Sequence, residues 1–277
     1  MKVGLLVDIT ENYKENIREA KELGFDFGQI AIWNMDFYTE ENLRELKETL
    51  EKESFKPISM WCGWSGPVDW SYPRKYSTLG LVPDYLRAVR MQDLRRGARF
   101  AYDMGISTVV THTGFIPDDP FHPTHIAIVN ELKDFCKELA TRGQRFAFET
   151  GEELPITLNI LINEIGLDNV GVNFDPANFV SGGRGNPNDA MDMLGCHVVG
   201  MHAKDAVPAK FGEFGGHQTP LGEGSVNFCR LLEQLKEVGY EGDIVIEHEM
   251  SGRPDRRGDI AKSKVLLEKM ISEIYGK

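Results

Sequence analysis

The sequence predicts an α/β protein in which one (β/α)8 barrel of the TIM type takes up the whole chain. Eight short apolar runs rich in β-formers alternate with longer amphipathic helical stretches from end to end. The chain has 277 residues, and a single barrel of this kind commonly needs roughly 250. The turn after the first run has no glycine, whereas a doubly wound open sheet would normally show a glycine-rich dinucleotide turn there.

The predicted strands are residues 2–7, 28–32, 56–60, 108–111, 145–148, 170–174, 198–201 and 243–246. The predicted helices are residues 13–23, 40–52, 84–104, 124–142, 154–165, 189–194, 228–238 and 260–275. A glycine follows nearly every helix, as expected for a left-handed C-cap that returns the chain to the next strand. Since no linker or low-complexity tract interrupts the alternation, we expect residues 1–277 to form a single TIM-barrel domain.

Composition narrows the possible partners. The formal net charge is −12, which argues against nucleic acid and against an anionic membrane surface as binding partners. The four cysteines are scattered without a C-x-x-C pair, which favours reduced structural thiols. No run approaches the roughly 18 apolar residues needed to span a bilayer, and the N-terminal apolar run is too short for a signal peptide. We therefore expect a cytoplasmic protein.

Each of the last five predicted strands is followed directly by an ionisable residue. These residues are His112, Glu149, Asp175, His202 and Glu247. In such barrels the catalytic groups lie where strands end and the following loops begin. Three carboxylates and one imidazole are therefore expected to converge after strands five to eight.

Converging carboxylates are unfavourable unless protons or a cation compensate them. One divalent ion bound by Glu149, Asp175, His202 and Glu247 would balance their charge. Three oxygen donors and one nitrogen favour Mn²⁺, Mg²⁺ or Co²⁺, and Zn²⁺ stays open. The competing interpretation is that each carboxylate is a helix cap, and Asp175-Pro176 has the pattern of an N-cap followed by proline.

Four segments carry a resemblance to a known family. They are Phe174-Asp175-Pro176-Ala177-Asn178, His202-Ala203-Lys204-Asp205, Pro220-Leu221-Gly222-Glu223-Gly224 and Ile246-Glu247-His248-Glu249. The chain resembles the sugar phosphate isomerase/epimerase family of xylose isomerase-like TIM barrels over essentially its whole length. The resemblance implies that Glu149 and Glu247 are the acid/base pair as well as metal ligands, with manganese as the expected ion.

The resemblance implies a metal-dependent isomerase or epimerase of a keto-sugar or sugar phosphate, active in carbohydrate metabolism. Proton abstraction next to the carbonyl would give a metal-stabilised enediolate. The sequence has Asn178 and Pro208 where ketose 3-epimerases of the family usually carry histidine and arginine. This departure keeps open a dehydratase or lyase that acts on a keto-sugar, keto-inositol or 3-keto-glycoside. An abasic-site endonuclease and a non-catalytic sugar-binding barrel are less well supported alternatives.

Further candidates for substrate contact lie at the same end of the barrel. They are His112, Trp33, Trp61, Lys204, Asn178, His217 and Arg184. Indole rings suit the C–H faces of sugars. We therefore expect one aromatic wall of the pocket to contain Trp33, Trp61, Trp64, Trp70, Phe37 and Phe115. The alternative for these aromatic loops is a homo-oligomer interface. Arg184 lies in the glycine-rich segment 181–185, which would suit an anion such as a phosphate group.

Overall fold

The computed structural model describes residues 1–250 and 253–276 and confirms the predicted (β/α)8 barrel. Eight parallel strands close in the order β1-β10-β7-β6-β5-β4-β3-β2. The barrel strands are β1 (Val3–Asp8), β2 (Phe27–Ile32), β3 (Lys56–Cys62), β4 (Thr108–Thr111), β5 (Arg145–Glu149), β6 (Val170–Phe174), β7 (Val198–Ala203) and β10 (Ile244–Ile246). Strands β8 (Asp205–Val207) and β9 (His217–Thr219) form a separate antiparallel pair.

The helices surround the barrel and bury their apolar faces against it. They are α1 (Tyr13–Glu22), α2 (Glu40–Glu53), α3 (Lys75–Thr78), α4 (Asp84–Asp103), α5 (Pro123–Ala140), α6 (Pro155–Ile165), α7 (Pro176–Gly182), α8 (Pro187–Leu194), α9 (Phe228–Glu237) and α10 (Arg256–Tyr275). Proline opens α5 to α8, where a helix needs no backbone N–H. No helix in the described part of the chain is both long and apolar enough to cross a membrane.

The structure differs from the sequence-based elements in three ways. Helices α3 and α7 and the β8–β9 pair were not predicted as elements, because all three are short insertions in the repeating βα pattern. Gly195, predicted to be a left-handed cap, has a φ of −55° because the chain continues into a 3₁₀ turn. Helix α2 ends on Ser54, whose φ of 53° makes it a left-handed cap without glycine.

Two glycines allow close approach between neighbouring barrel strands. A Cβ on Gly28 would lie 1.7 Å from the carbonyl oxygen of Leu5, so any side chain there would separate β1 from β2. A Cβ on Gly200 would lie 2.4 Å from Asn173 Oδ1. The absence of a side chain at Gly200 therefore makes room for the side chain of Asn173 on the neighbouring strand β6.

Arg90 of α4 fixes the long loop between β3 and α4. The side chain is fully buried, and its guanidinium donates to the carbonyl oxygens of Ser65, Pro67, Thr78 and Gly80 at 2.6–3.0 Å. The ring of Trp64 lies 5.2 Å from the guanidinium carbon. One buried cation thus satisfies four backbone acceptors of a loop that carries part of the barrel mouth.

Replacing Arg90 with methionine is expected to leave those carbonyls without donors. We expect Arg90→Met to lower the free energy of unfolding by roughly 3 kcal/mol or more. Urea denaturation measures this, and limited proteolysis should cut first between residues 63 and 83. Arg99→Met is the control: Arg99 is on the same helix and pairs with Asp103 in solvent, so its effect should stay below about 0.5 kcal/mol. Equal losses in the two variants would contradict the assignment.

Candidate active site

The carboxyl ends of the barrel strands surround a cavity of about 770 Å³. Its floor contains polar side chains from the strand ends, among them Glu149, Glu247 and Lys204. Loops after β2, β3 and β7 supply its aromatic walls. A pocket of this size with a few convergent polar groups is the usual form of a small-molecule site.

The four predicted ligands meet at one point of this floor, two of them in its lining and two beneath it. Glu149, Asp175, His202 and Glu247 each present one ligand atom, and these atoms all lie within 4.8 Å of one another. His202 Nδ1 is 3.2 Å from Glu149 Oε1, 3.6 Å from Asp175 Oδ2 and 2.9 Å from Glu247 Oε2. All four residues are buried. The structure thus brings together side chains from β5, β7 and the residues that follow β6 and β10.

Asp175 is both a helix cap and a member of the cluster. Its Oδ1 accepts hydrogen bonds from the backbone N–H groups of Ala177 (2.8 Å) and Asn178 (3.1 Å) at the start of α7. Its Oδ2 faces His202 and accepts no hydrogen bond from the described residues. The two interpretations of Asp175-Pro176 therefore describe different oxygens of one carboxylate.

Gln29 of β2 determines which nitrogen of His202 faces the carboxylates. Its Nε2 donates to Ser59 Oγ at 2.9 Å, which turns Oε1 towards His202 Nε2 at 2.9 Å. Because an amide oxygen only accepts, His202 Nε2 carries the proton in this contact. The lone pair of a neutral His202 is then at Nδ1, the atom that faces the carboxylates.

The cluster carries excess negative charge that attracts cations. Burial alone would lower the pKa of His202, but the carboxylates of Glu247 and Glu149 outweigh it and raise the pKa well above its usual range. Lys204 follows the same rule: burial opposes its charge, yet Glu247 and Glu249 raise its pKa well above its ordinary value. Its Nζ lies 3.2 Å from Glu247 Oε2. With His202 neutral, as a metal ligand must be, three carboxylates and the ammonium of Lys204 leave two negative charges, which one divalent ion would balance.

Tryptophans form one wall of the cavity. Trp33 packs on Trp61 with ring centroids 4.4 Å apart, and Trp70 meets Trp33 edge-on at 6.5 Å. Trp61 is buried and donates its indole N–H to Glu149 Oε2. Phe37 was expected in this wall, but it packs between Tyr13 and Phe100 on the outer side of the barrel.

His112 lies beside Glu149 in a chain of buried charges. Its Nδ1 is 3.1 Å from the carbonyl oxygen of Glu149 and 3.0 Å from Glu152 Oε2. Glu152 Oε1 in turn lies 3.9 Å from the ammonium of Lys75. Burial alone would lower the pKa of His112, but Glu152 and Glu149 outweigh it and raise the pKa to about 10.

The remaining candidates separate into two groups. Asn178 and Lys204 line the cavity. His217 is exposed on β9, and its neighbour Gly216 lines the cavity while His217 does not. Arg184 also lies outside the lining, with its guanidinium carbon 5.5 Å from the ring centroid of Phe115. The structure therefore does not bring His217 and Arg184 to the site.

Sequence reasoning missed three residues of this region. Gln29 gave a signal that was not used, since it is a polar residue inside an otherwise apolar buried strand. Glu152 lies in the acidic segment that follows Glu149, and the sequence pattern does not distinguish it from an exposed carboxylate. Lys75 gave no signal, because the loop that buries it has no repeating pattern.

Comparison with known proteins places the chain in a family. A sequence model described as xylose isomerase-like TIM barrel matches residues 17–269. The chain belongs to the xylose isomerase-like TIM barrel family. The resemblance noted from the four sequence segments is thereby confirmed.

Among relatives of known sequence, L-ribulose-5-phosphate 3-epimerase of Escherichia coli is 26% identical over 92% of this chain and 88% of its own. A xylose isomerase domain protein from Planctomyces limnophilus superposes with a TM-score of 0.92 at 27% identity and covers 99% of both chains. A xylose isomerase-like TIM barrel protein from Mycobacterium smegmatis, solved in complex with magnesium, has a TM-score of 0.73 at 18% identity. This last match covers 95% of this chain and 89% of that one.

The carboxylate of Glu153 tests how well solvent is excluded from the segment that follows β5. Its carboxylate is buried and meets no donor from another residue in the described part of the chain. Burial and the neighbouring Glu152 raise its pKa to about 8. The unfolded chain loses this proton near pH 4.5, so the native state is destabilised as pH rises from there to about 8.

We expect Glu153→Gln to be more stable than the wild type at pH 8.5 and nearly equal to it at about pH 3.5, one unit below the unfolded-state pKa, where the carboxyl is largely protonated in both states. Urea midpoints at several pH values measure the difference. Glu11→Gln, at an exposed carboxylate, should show no such trend. A stability difference that does not grow with pH would contradict the burial argument.

Proposed function

We propose that this protein is a divalent-metal-dependent isomerase or epimerase of a keto-sugar, with Glu149 and Glu247 as the proton-transfer pair. The observation that carries the proposal is the buried cluster of four ligand atoms, two of whose residues also line the cavity. Relatives named as sugar epimerases support the class of reaction. Action within carbohydrate metabolism in the cytoplasm, and association into homo-oligomers, stay predictions.

The chemistry of the cluster fits a metal ion. His202 Nδ1, Asp175 Oδ2 and Glu247 Oε2 are buried and make no hydrogen bond within the described residues. With His202 in the neutral form that binds a metal, all three are acceptor atoms that face one another, an arrangement that needs a positive charge between them. Glu149, Asp175, His202 and Glu247 would hold the ion, and Mn²⁺ or Mg²⁺ suits three oxygens and one imidazole nitrogen. When bound, such an ion acidifies the C–H next to a carbonyl and stabilises the enediolate.

Glu149 and Glu247 are better placed than Asp175 to move a proton. Both line the cavity, whereas Asp175 is fully buried behind it and has one oxygen committed to the start of α7. They come from strands β5 and the end of β10, which are separated in the barrel by β7 and β6. A sugar carbon held between them would meet one carboxylate that removes its proton and another that returns it.

Two further side chains support this transfer. Trp61 donates to Glu149 Oε2, which holds the carboxylate in one orientation. Lys204 places its ammonium 3.2 Å from Glu247 Oε2 at the edge of the cavity. An ammonium there pairs with the carboxylate and offers a donor to a substrate hydroxyl oxygen.

The proton-transfer assignment predicts the behaviour of a neutral isostere. Glu247→Gln should keep the fold and lower turnover by roughly 10²- to 10⁴-fold, because the amide can neither take nor return a proton. Turnover is measured as deuterium entry into a keto-sugar panel in D2O by NMR, with circular dichroism to check the fold. Glu241→Gln, an exposed change just before β10, is the control. Near-normal exchange by Glu247→Gln would remove the assignment, while loss of water from the sugar would indicate a dehydratase.

The contact between Gln29 and His202 predicts a change in metal affinity. Without its acceptor, His202 loses its fixed tautomer, and we expect Gln29→Leu to weaken Mn²⁺ binding by roughly 10- to 100-fold. Isothermal titration with Mn²⁺ alone measures this. Gln144→Leu is the matched control, because Gln144 is equally buried but bonds to the carbonyls of Ala98 and Ile106 away from the cluster. Equal Mn²⁺ affinities of Gln29→Leu and the wild type would overturn the positioning role.

A further inference from the structure

We propose that the outer half of the cavity binds an uncharged ring joined to the keto-sugar, a second sugar or a neutral aglycone, and not a phosphate group. The inference rests on the proposed function, since it names the substrate class of the same site. It is drawn from the charges, the backbone groups and the aromatic surfaces that face the cavity.

No cation that lines the cavity in the described residues is free to bind a phosphate group. Lys75 lies 3.9 Å from Glu152 and 4.4 Å from the ring centroid of Tyr72. Lys204 is paired with the cluster, and Arg256 lies 3.5 Å from Glu19. His112, which also lines the cavity and whose pKa is raised to about 10, is paired with Glu152 Oε2 at 3.0 Å. A phosphate ester carries about −1.5 to −2 charges and would have to displace a carboxylate from one of these pairs.

The backbone positions where barrels usually bind phosphate are also occupied. These positions are the loops after the seventh and eighth strands and a nearby helix N-terminus. After β7, the carboxylate of Asp205 accepts from the N–H groups of Gly222, Gly224 and Val226 at 2.9–3.0 Å. The chain's own carboxylate thus takes the place that an anion would occupy in this loop.

At the eighth strand the start of α10 is equally committed. Asp255 caps the helix by accepting from the N–H of Gly258 at 2.9 Å. Asp259 follows in the first turn and binds the guanidinium of Arg253 through both oxygens, at 2.8 and 3.0 Å. Two carboxylates therefore already use the positive end of this helix and the arginine beside it.

In the glycine-rich segment after β6, the backbone groups that meet other cavity residues are carbonyl acceptors. Ser181 and Gly182 line the cavity at the carboxyl end of α7. Their carbonyl oxygens accept from Gly216 N (2.8 Å) and Tyr72 Oη (3.1 Å). The carboxyl end of a helix carries partial negative charge, so this edge favours hydroxyl donors over a phosphate.

Aromatic surface remains uncovered at the outer part of the cavity. Trp33 is 40% exposed, Trp70 is 46% exposed and Phe214 is 84% exposed, although all three line it. Such rings gain from contact with the apolar face of another ring. A volume of about 770 Å³ lies in the upper part of the range for pockets that hold ligands larger than one sugar ring.

Three fructose derivatives that differ only at O6 test the inference. They are fructose, fructose 6-phosphate and isomaltulose, in which O6 carries hydrogen, phosphate or a glucosyl ring. Deuterium entry into the fructose unit in D2O gives kcat/KM for each with the Mn²⁺-loaded protein. We expect isomaltulose to exceed fructose 6-phosphate by roughly tenfold or more, because the phosphate finds no free cation. A higher kcat/KM for fructose 6-phosphate than for isomaltulose would overturn the inference and leave the proposed function intact.

Binding of the same three compounds, measured by isothermal titration, separates the two proposals if none exchanges deuterium. In that case the proposed function fails for this ketose, and the order of affinities still decides the substrate class. Isomaltulose binding more tightly than fructose 6-phosphate supports the inference, and the reverse order contradicts it.

Two phenylalanines of the loop between β8 and β9 provide a matched pair of variants. Phe214 lines the cavity, while Phe211 is exposed on the same loop and does not line it. We expect Phe214→Ala to lower the kcat/KM ratio of isomaltulose to fructose by roughly fivefold, and Phe211→Ala to leave that ratio unchanged. An unchanged ratio in Phe214→Ala would show that the second ring does not use this wall.

Discussion

Three carboxylates buried within a few ångströms of one another are the electrostatic constraint that organises the barrel mouth. A buried charge costs several kcal/mol unless it is paired and hydrogen-bonded, and like charges add to that cost. Lys204 and the start of α7 compensate part of the charge, and the imidazole of His202 faces the rest. Negative charge therefore remains at one point of the barrel mouth, and it favours a bound cation. The rest of the fold must hold the carboxylates in place there, although no further side chain of the described residues neutralises them.

The surrounding contacts give each cluster member a different role. Asp175 is tied to α7 through one oxygen and is shielded from the cavity. His202 is held by Gln29 so that Nδ1 faces the carboxylates. Glu149 and Glu247 keep access to the cavity, and the indole of Trp61 orients Glu149. The three carboxylates have similar intrinsic chemistry and are all buried, but only Glu149 and Glu247 line the cavity, which is why these two are the proposed proton-transfer pair.

The sequence was informative where a regular repeat determines the structure. The eight βα units put Glu149, Asp175, His202 and Glu247 at one end of the barrel, because parallel strands of a closed sheet all end there. Gln29, Glu152 and Lys75 were missed because their roles depend on contacts between residues 30 to about 170 positions apart. The βα repeat also does not predict which side chains of the loops line the cavity. His217 and Arg184 lie close in sequence to residues that line the cavity, yet they are not part of its lining.

The two departures from ketose 3-epimerases of the family gain a physical meaning from the structure. Asn178 stands where such enzymes usually have a histidine, and one of its two amide N–H donors is used by the carbonyl oxygen of Thr150 at 3.1 Å. Pro208 replaces an arginine, lies exposed after β8 and offers no donor at all. The chain thus lacks the imidazole and the guanidinium that such epimerases usually carry at these two positions. Under the proposed function, hydroxyl recognition would fall to His112, Lys204 and the carbonyls at the end of α7, and the tryptophans would supply the apolar contact. Asn178 in place of histidine and Pro208 in place of arginine remove positive charge, whereas the aromatic surface of the cavity is kept. A site of this composition favours a neutral substrate.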